Sequence, residues 1–265
     1  MPLQLAFEET GNGPSVVILH GLFGSSSNWR SVARALAAQH RVLSVDLRNH
    51  GASPWADSMA YADMAADVLA LIQTQGLQQP VVVGHSMGGK TAMALALLAP
   101  AAVRGLVVVD IAPVAYADRM TPFVQAMSGL DAAALASRAA AQSRLAELLP
   151  DPGVVGFLLQ NLVSRNDHFD WRLNLAAIGL AVPQLSGFPP ELLGLRYGGP
   201  ATLIHGSRSD YVTPADAARF AELFPQALLP VHLHSIEGAD HWVHADKPTE
   251  FIAALQQALL AAAVP

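Results

Sequence analysis

The sequence predicts an α/β fold: a mostly parallel sheet, covered by helices on both faces and interrupted once by a helical cap insertion. Two observations support this prediction. Short apolar runs rich in β-branched residues recur along the 265 residues, and helical patterns lie between most of them. The runs are apolar nearly throughout rather than alternating with polar residues, which is typical of parallel strands buried on both faces.

The predicted elements alternate regularly in the first 110 residues and again near the end of the chain. Each strand run ends at turn residues, and each helical segment repeats its apolar side chains at helical spacing. We predict strands at 16–19, 42–45, 81–83, 106–109, 202–204 and about 230–236. Helices are predicted at about 28–38, 59–75, 87–98, 214–223 and 249–262.

The alternation breaks once, between Pro113 and about Leu193. This part contains helical pieces rich in Ala and Leu, but no segment that predicts a strand. A long insertion between two sheet strands is usually functional, and ligands of open α/β sheets bind at the carboxyl ends of the strands. We therefore predict an α/β core of residues 1–112 and 194–265, with residues 113–193 as a helical cap over those strand ends.

Composition excludes several functional classes. Hydrophobic residues make up 52% of the chain, charged residues 14%, and the net charge is -6. Without a cluster of Lys and Arg, the chain is not expected to bind nucleic acid, because phosphate contacts require clustered positive charge. There is no cysteine, so a disulfide framework, a thiolate metal site and a cysteine nucleophile are all excluded.

Neither a membrane span nor a secretion signal is predicted. No apolar stretch reaches the roughly 18 uninterrupted residues of a transmembrane helix. The N-terminal segment lacks the basic start and long apolar run of a signal peptide. We therefore expect a cytoplasmic protein, although no oligomeric state follows from the sequence.

The segment VVVGHSMGGKTAM, residues 81–93, matches two incompatible motifs. From Gly84 it spells G-x-x-x-x-G-K-T, the phosphate-binding loop of nucleotide enzymes, with Lys90 as the phosphate-binding lysine. Around Ser86 it spells G-x-S-x-G, the strand-to-helix turn that carries the nucleophile of serine hydrolases. Asp110 ends a later apolar strand and so fits the magnesium ligand that the first interpretation requires.

Other segments favour the serine hydrolase. A nucleophilic serine needs a histidine base, an acid that orients it, and a second donor for the oxyanion. The segment ILHGLFGSSSNW follows the first predicted strand, so the backbone N–H of Leu22 could join that of Met87 as an oxyanion donor. His241, in IEGADHWVHADKP, follows the last strand, where the histidine belongs in the chain order serine, acid, histidine. A phosphate-binding loop usually follows the first strand of its domain, whereas two strands precede this one.

Taken together, the motifs resemble those of the alpha/beta-hydrolase fold, and specifically the small YbfF-type acyl esterases and their mitochondrial abhydrolase-domain relatives. The resemblance covers nearly the whole chain. It rests on HGLFGSSSNW, VLSVDLRNHGAS, GHSMGGKTAM, VVVDIAPV, NLV with WRLNL, and GADHWVHADKP. It implies a serine carboxylesterase that hydrolyses short-to-medium acyl esters, or acyl thioesters, without a cofactor.

Two residues compete for the role of the acid. Most alpha/beta hydrolases carry it after the strand that follows the cap, usually as G-x-x-D; here that loop reads HGSRSDYVTP, with Ser209 at the expected position and Asp210 one residue later. The other known position is the loop before the cap, where Asp110 lies. The resemblance to YbfF-type esterases in DIAP favours Asp110, and Asp210 remains the alternative.

Aromatic residues near these motifs are candidates for an apolar acyl pocket. Phe23 directly follows Leu22 in the segment that carries the oxyanion donor, and Trp242 directly follows His241. Phe157, Phe169 and Trp171 in the insertion are further candidates, with packing inside the insertion as the equally weighted alternative. The substrate implied is a small acyl ester or thioester.

No metal site is predicted. His232 and His234 share one strand face, and His241 and His244 follow in a loop. Strand alternation and loop position do not bring the four side chains to one point, as a metal site would require.

Two further functions remain open. One is a C–C bond hydrolase with the same catalytic residues, which needs a basic side chain for the substrate carboxylate; Lys90 and Arg48 are the nearby candidates. The other is a ligand receptor that has retained the catalytic residues without fast turnover.

Overall fold

The computed structural model describes residues 1–166, 168–227 and 233–263, and its centre is a seven-stranded sheet in the order β1-β3-β2-β4-β5-β8-β9. All neighbouring pairs in this sheet are parallel except β1 with β3. The strands are β1 (Phe7–Thr10), β2 (Ser15–Leu19), β3 (Arg41–Val45), β4 (Val81–His85), β5 (Gly105–Val109), β8 (Ala201–Gly206) and β9 (Leu233–Ile236). The sequence prediction of a mostly parallel sheet is confirmed.

Helices cover both faces of the sheet, because the central strands are apolar on both sides. Val17 and Leu19 of β2 point to one face and Val16 and Ile18 to the other, as the two-residue period of a strand requires. The first face packs against α2 (Tyr61–Thr74), α3 (Met87–Leu98) and α8 (Pro214–Leu223); the second packs against α1 (Arg30–Leu36) and α10 (Pro248–Ala263). A short helix, α9 (Val243–Asp246), precedes α10.

The predicted insertion between β5 and β8 has an apolar core of its own. It contains α4 (Thr121–Ser128), α5 (Arg138–Leu148), α6 (Pro152–Leu159) and α7 (Leu175–Ser186). Val124, Leu145, Leu158 and Ile178, one from each helix, belong to one buried cluster, which also takes in Phe23 from the loop after β2. The insertion therefore packs onto the loop after β2, in which the sequence predicts Leu22 as an oxyanion donor.

The prediction that the insertion contains no strand was wrong. The segments β6 (Leu162–Arg165) and β7 (His168–Trp171) form a two-stranded antiparallel sheet. Most side chains of this hairpin are exposed or half-buried, so it has no apolar run that a pattern search could detect. The prediction also missed β1, a half-polar antiparallel edge strand of sequence FEET.

The other predicted elements agree with the structure to within a few residues. The helices at 87–98 and 214–223 match α3 and α8 at both ends. In place of the helix predicted at 28–38, the structure has a 3-10 turn over Ser26–Trp29 followed by the shorter helix α1 (Arg30–Leu36). The strand predicted at about 230–236 is observed as Leu233–Ile236, and residues 230–232 lie outside the described part of the chain.

None of the helices in the described ranges combines the length and the apolar character that crossing a bilayer requires.

The fold predicts a strong steric requirement at Gly88, in the first turn of α3. A Cβ atom there would lie 2.4 Å from the carbonyl oxygen of Leu19 and 2.5 Å from that of His20. We expect Gly88→Ala to lower the free energy of unfolding by about 2 kcal/mol, because backbone must move to admit the methyl group. Urea unfolding measures this change.

Gly198→Ala is the matched control, since a Cβ atom there meets nothing within 4 Å. It should change the free energy of unfolding by no more than about 0.5 kcal/mol. Equal stabilities of the two variants would contradict the packing described for Gly88.

Candidate active site

Ser86 stands at the tip of the turn between β4 and α3, in a backbone conformation that is rare outside glycine. Its φ is +53° and its ψ is -120°. Residues held in such conformations cost about 1–3 kcal/mol and cluster at active sites. The turn is tight because α3 packs directly on β4: a Cβ atom on Gly84 would lie 2.2 Å from the carbonyl oxygen of Gly88. The side chain of Ser86 is thereby presented at the carboxyl edge of the sheet.

His241 lies between Ser86 and Asp110 and contacts both. Its Nε2 is 3.1 Å from the Ser86 Oγ, and its Nδ1 is 2.7 Å from the Asp110 Oδ2. A carboxylate accepts hydrogen bonds only, so Nδ1 carries the hydrogen and Nε2 can accept the hydrogen of the serine hydroxyl. The three side chains form a continuous hydrogen-bonded chain from a buried acid to a serine that lines a cavity.

Asp110 directly follows β5 and is fully buried. Its φ is +51°, which turns the side chain back towards the neighbouring strand. Oδ1 accepts a hydrogen bond of 2.9 Å from the Gly206 N–H, and Oδ2 accepts one from the hydroxyl of Ser209 in addition to that from His241. These donors satisfy a carboxylate that burial would otherwise destabilise.

Asp210, the alternative acid, lies on the surface. Its carboxylate forms a bidentate ion pair with Arg119, with distances of 2.6 and 2.8 Å, and its side chain is 65% exposed. The hydrogen bonds from Arg119 hold the pKa of Asp210 below its usual value. Within the described ranges no hydrogen bond joins Asp210 to His241; instead its neighbour Ser209 reaches Asp110.

Two neighbours hold the ring and backbone of His241. The ring of Tyr211 stacks on the imidazole, with 4.0 Å between centroids and an interplanar angle of 22°. His85 donates from Nε2 to the backbone oxygen of His241 over 2.9 Å, and burial lowers the pKa of His85 well below its usual value, which favours the neutral ring. The sequence places Ser209 at the acid position of G-x-x-D but does not indicate that its hydroxyl contacts Asp110. It also does not indicate that Tyr211 stacks on His241, because both contacts join residues that are distant along the chain.

The two predicted oxyanion donors lie beside Ser86. Met87 is the first residue of α3, where a backbone N–H has no partner within the helix. Gly21 is in close contact with Ser86: a Cβ atom on Gly21 would lie 3.2 Å from the Ser86 Cβ. Leu22 follows Gly21 and, with Ser86 and Met87, lines a small cavity of about 50 Å³.

A larger cavity of about 760 Å³ opens beside Ser86 and His241. Its walls are mainly apolar and come from both the core and the insertion. They include Leu22, Phe23, Phe123, Val154, Phe157 and Trp242. Phe23 and Trp242, the two aromatic residues predicted for an acyl pocket, both line this cavity. Phe157 packs on Trp242 with 5.5 Å between ring centroids. Trp171 and Phe169 instead pack with the apolar cluster of the insertion.

The asparagines of the NLV and WRLNL segments connect the insertion to loops of the core. Asn161 donates from Nδ2 to the backbone oxygen of Phe23 over 2.7 Å. The backbone N–H of Asn174 donates to the backbone oxygen of Asn49 over 3.1 Å. The insertion is thus fixed to the loop after β2 and to the loop after β3.

The lysine and threonine of the phosphate-loop pattern both have partners within the protein. The Lys90 side chain is buried and donates to three backbone carbonyls, and the Thr91 hydroxyl donates to the Met87 carbonyl over 3.0 Å. Neither is presented to a phosphate, which contradicts the arrangement that a nucleotide enzyme needs.

Asp46 and Arg48, both in the VLSVDLRNHGAS segment, make structural contacts. Asp46 accepts from the Ser26 and Ala52 backbone N–H groups, over 2.7 and 2.9 Å, and so braces two loops beside the turn. Arg48 forms a buried bidentate ion pair with Asp67. Among the described residues no three His, Asp or Glu side chains are grouped so as to hold a metal ion; His232 lies outside the described residues.

Comparison with known proteins agrees with this geometry. A model of the alpha/beta hydrolase family matches residues 16–255. The mouse (Mus musculus) sn-1-specific diacylglycerol lipase ABHD11 is 40% identical over 250 residues, which cover 91% of this chain and 80% of that protein. Esterase YbfF of Escherichia coli K12 is 36% identical over 260 residues, covering 97% and 96% of the two chains.

A solved structure is also similar over almost its full length. A marine microorganism esterase superposes with a TM-score of 0.91 at 34% identity, covering 96% of this chain and 99% of that one. These relatives confirm the predicted fold class and the prediction of a carboxylic ester hydrolase. With a family model that spans most of its length and relatives of this similarity, the chain belongs to the alpha/beta hydrolase family.

Proposed function

We propose that this ester hydrolase cleaves short-to-medium acyl esters with Ser86 as nucleophile, His241 as general base and Asp110 as the acid that orients the histidine. The observation that carries the proposal is the hydrogen-bonded chain from Asp110 through His241 to Ser86, which ends beside an apolar cavity of about 760 Å³. The order of the three side chains, and the direction of the hydrogen bonds between them, match the requirements of nucleophilic acyl transfer.

Acylation follows from the donor and acceptor roles of the imidazole. The Ser86 Oγ attacks the acyl carbonyl carbon while His241 Nε2 accepts the hydroxyl proton. Asp110 then stabilises the imidazolium through the 2.7 Å contact at Nδ1. Collapse of the tetrahedral intermediate breaks the bond to the alcohol, which leaves with the proton from Nε2 and yields an acyl-Ser86 ester.

Deacylation repeats these steps with water as the nucleophile. His241 Nε2 takes a proton from a water molecule that attacks the acyl carbon, and then returns this proton to the Ser86 oxygen. The carboxylic acid is released, and no cofactor is needed for either half-reaction. Tyr211 and His85, which hold the ring and the backbone of His241, keep the imidazole in place through both steps.

The backbone N–H groups of Leu22 and Met87 stabilise the oxyanion in this proposal. Their support is the small cavity that they share with Ser86 and the missing helical partner of the Met87 N–H. Such donors act where charge develops in the transition state, and the loss of one typically costs about 3 kcal/mol.

Asp110 is preferred to Asp210 for two reasons. It is buried against His241, where a carboxylate can fix the ring orientation, whereas Asp210 is exposed and engaged by Arg119. Its oxygens also accept from Gly206 and Ser209, so the carboxylate is held still while the histidine changes charge.

Residues 113–193 act as a cap over this site in our proposal. The supporting observations are the cavity walls contributed by Phe123, Val154 and Phe157, and the hydrogen bonds of Asn161 and Asn174 to core loops. A cavity walled by the cap places the acyl chain against apolar side chains. The substrate is thus a small acyl ester or thioester.

The two alternative functions have less support. A C–C bond hydrolase would need Lys90 or Arg48 for a substrate carboxylate, but both side chains are buried and engaged by the protein itself. A receptor would turn over p-nitrophenyl acetate or butyrate slowly or not at all. The names of the relatives, an esterase and a diacylglycerol lipase, support turnover.

Removal of the nucleophile tests the proposed chemistry. We expect Ser86→Ala to lower kcat by at least about 10⁴-fold on p-nitrophenyl esters, because the acyl-enzyme cannot form. A chain-length series of p-nitrophenyl esters and acyl-CoAs, assayed on both proteins, measures the loss and also the preferred acyl group.

The exposed Ser164 in the β6–β7 hairpin offers a matched control, and Ser164→Ala should retain full activity. Substantial activity of Ser86→Ala would exclude the proposed nucleophile. A wild-type protein inactive on every ester would favour the receptor.

The choice of acid is tested by two amide substitutions. Asp110→Asn should lower kcat by about 10⁴-fold, since the amide presents a donor to Nδ1 and imposes the wrong histidine tautomer. Asp210→Asn breaks a surface ion pair and should change kcat less than about threefold. Steady-state kinetics of both variants, with folding checked by circular dichroism, gives the comparison. The reverse ranking of the two variants would assign the acid to Asp210.

A further inference from the structure

Lys90 is one of the most buried polar residues of the protein, and the proposed chemistry does not use it. It lies one helical turn after Ser86 on α3, and its residue surface is 1% exposed. Burial lowers the pKa of Lys90 to about 7, and the backbone carbonyls around its Nζ favour the charged form. Among the described residues no carboxylate forms an ion pair with it.

The ammonium group instead binds the two segments that connect the insertion to the core. It donates to the Val114 carbonyl over 2.9 Å, on the connection that leaves β5. It donates to the Ser186 and Gly187 carbonyls over 3.0 and 2.5 Å, on the connection that returns from α7. An ammonium has three hydrogens, and three acceptors are present. The two acceptors at the C-terminal end of α7 are also where the helix dipole favours a cation.

The contacts around the ammonium join the same two connections to each other. The backbone N–H of Tyr116 donates to the Ser186 carbonyl over 2.9 Å. The Tyr116 ring lies 4.7 Å from the Lys90 Nζ, and the Tyr61 hydroxyl of α2 donates to the Leu185 carbonyl over 2.7 Å. Both ends of the insertion therefore meet at one point on the helix that begins beside Ser86.

Packing alone does not require a lysine here. Burying a charge costs free energy, and an apolar side chain of similar size would fill the space at lower cost. What an apolar residue cannot do is bind three carbonyls from two separate segments. The ammonium thus has a positional role that its volume does not explain.

We propose that Lys90 is a positioning residue for substrate selection. Its ammonium fixes both connections of the insertion to α3 and so sets the distance between the insertion's apolar wall and Ser86. The inference rests on the proposed function, since it concerns which acyl chains fit beside Ser86. Long acyl chains contact the wall formed by Phe123, Val154 and Phe157, whereas an acetyl group reaches only the surroundings of Ser86.

Lys90→Met tests the hydrogen bonds of the ammonium separately from side-chain packing, because methionine keeps the length of the side chain and removes the donors. We expect kcat/KM on p-nitrophenyl octanoate to fall about tenfold, mainly through a higher KM, while kcat/KM on p-nitrophenyl acetate changes less than about twofold. Lys247→Met is the matched control at the only other lysine of the chain and should leave both values unchanged.

Chemical restoration distinguishes the ammonium from the rest of the side chain. The chain has no cysteine, so Lys90→Cys introduces a single thiol. In denaturant its thiolate displaces bromide from 2-bromoethylamine, forming a thioether that carries a lysine-like ammonium. After refolding, the alkylated protein should recover the octanoate-to-acetate ratio of the wild type, and the unalkylated variant should not.

Hydrogen exchange supplies a readout that does not depend on catalysis. Exchange at the Tyr116 amide, which bonds to Ser186, should be about as slow in the wild type as at the Asp110 amide beside the sheet. In Lys90→Met it should become at least about tenfold faster, with the sheet amides unchanged. If Lys90→Met does not fold, the wild-type measurement decides alone: fast exchange at Tyr116 would mean that the connections are not fixed.

The outcomes are distinguishable from failure of the proposed function. Loss of that function appears as a wild type that cleaves neither ester, or as a Ser86→Ala variant that cleaves both. With an active wild type, an unchanged octanoate-to-acetate ratio in Lys90→Met overturns only the role of Lys90. An equal loss on both esters, not restored by alkylation, also overturns it.

Discussion

The structure of the site depends on one steric constraint, the tight turn between β4 and α3. The helix starts so close to the sheet that Gly84 and Gly88 leave no room for a Cβ atom, and Ser86 is held at a φ of +53°. The same close packing brings Gly88 against the end of β2, next to the carbonyl oxygens of Leu19 and His20. This contact fixes where the loop after β2 begins relative to α3. The positions of Ser86, Leu22 and Phe23 relative to one another follow from this packing.

The parallel sheet then supplies the remaining groups at its carboxyl edge. β5 lies beside β4, β8 beside β5 and β9 beside β8, so the loops after these strands carry Asp110, Ser209 and His241 to one place. A buried carboxylate is costly unless its oxygens are satisfied. Here the histidine, a serine hydroxyl and a backbone N–H meet that requirement, and the histidine is oriented as a consequence.

The insertion packs on the loops at this edge of the sheet. Its helices form an apolar cluster with Phe23, and its asparagines bind backbone groups of core loops, so it is coupled to the loops that surround Ser86. Lys90 connects this upper layer to α3. Lys90 is the lysine of the phosphate-loop pattern. Its ammonium binds backbone carbonyls of the protein itself, and these acceptors explain why a lysine stands at this position.

The sequence by itself determined the central strands, most helices, the turn at Ser86 and the placement of His241, because hydrophobic periodicity and glycine spacing are local properties. It left open whether Asp110 or Asp210 contacts the histidine, and it missed the β6–β7 hairpin, the Ser209 hydroxyl and the Tyr211 ring. Only the tertiary structure decided these. Asp110 and His241 are 131 positions apart, and strand order and register, which no local pattern encodes, bring them within hydrogen-bonding distance.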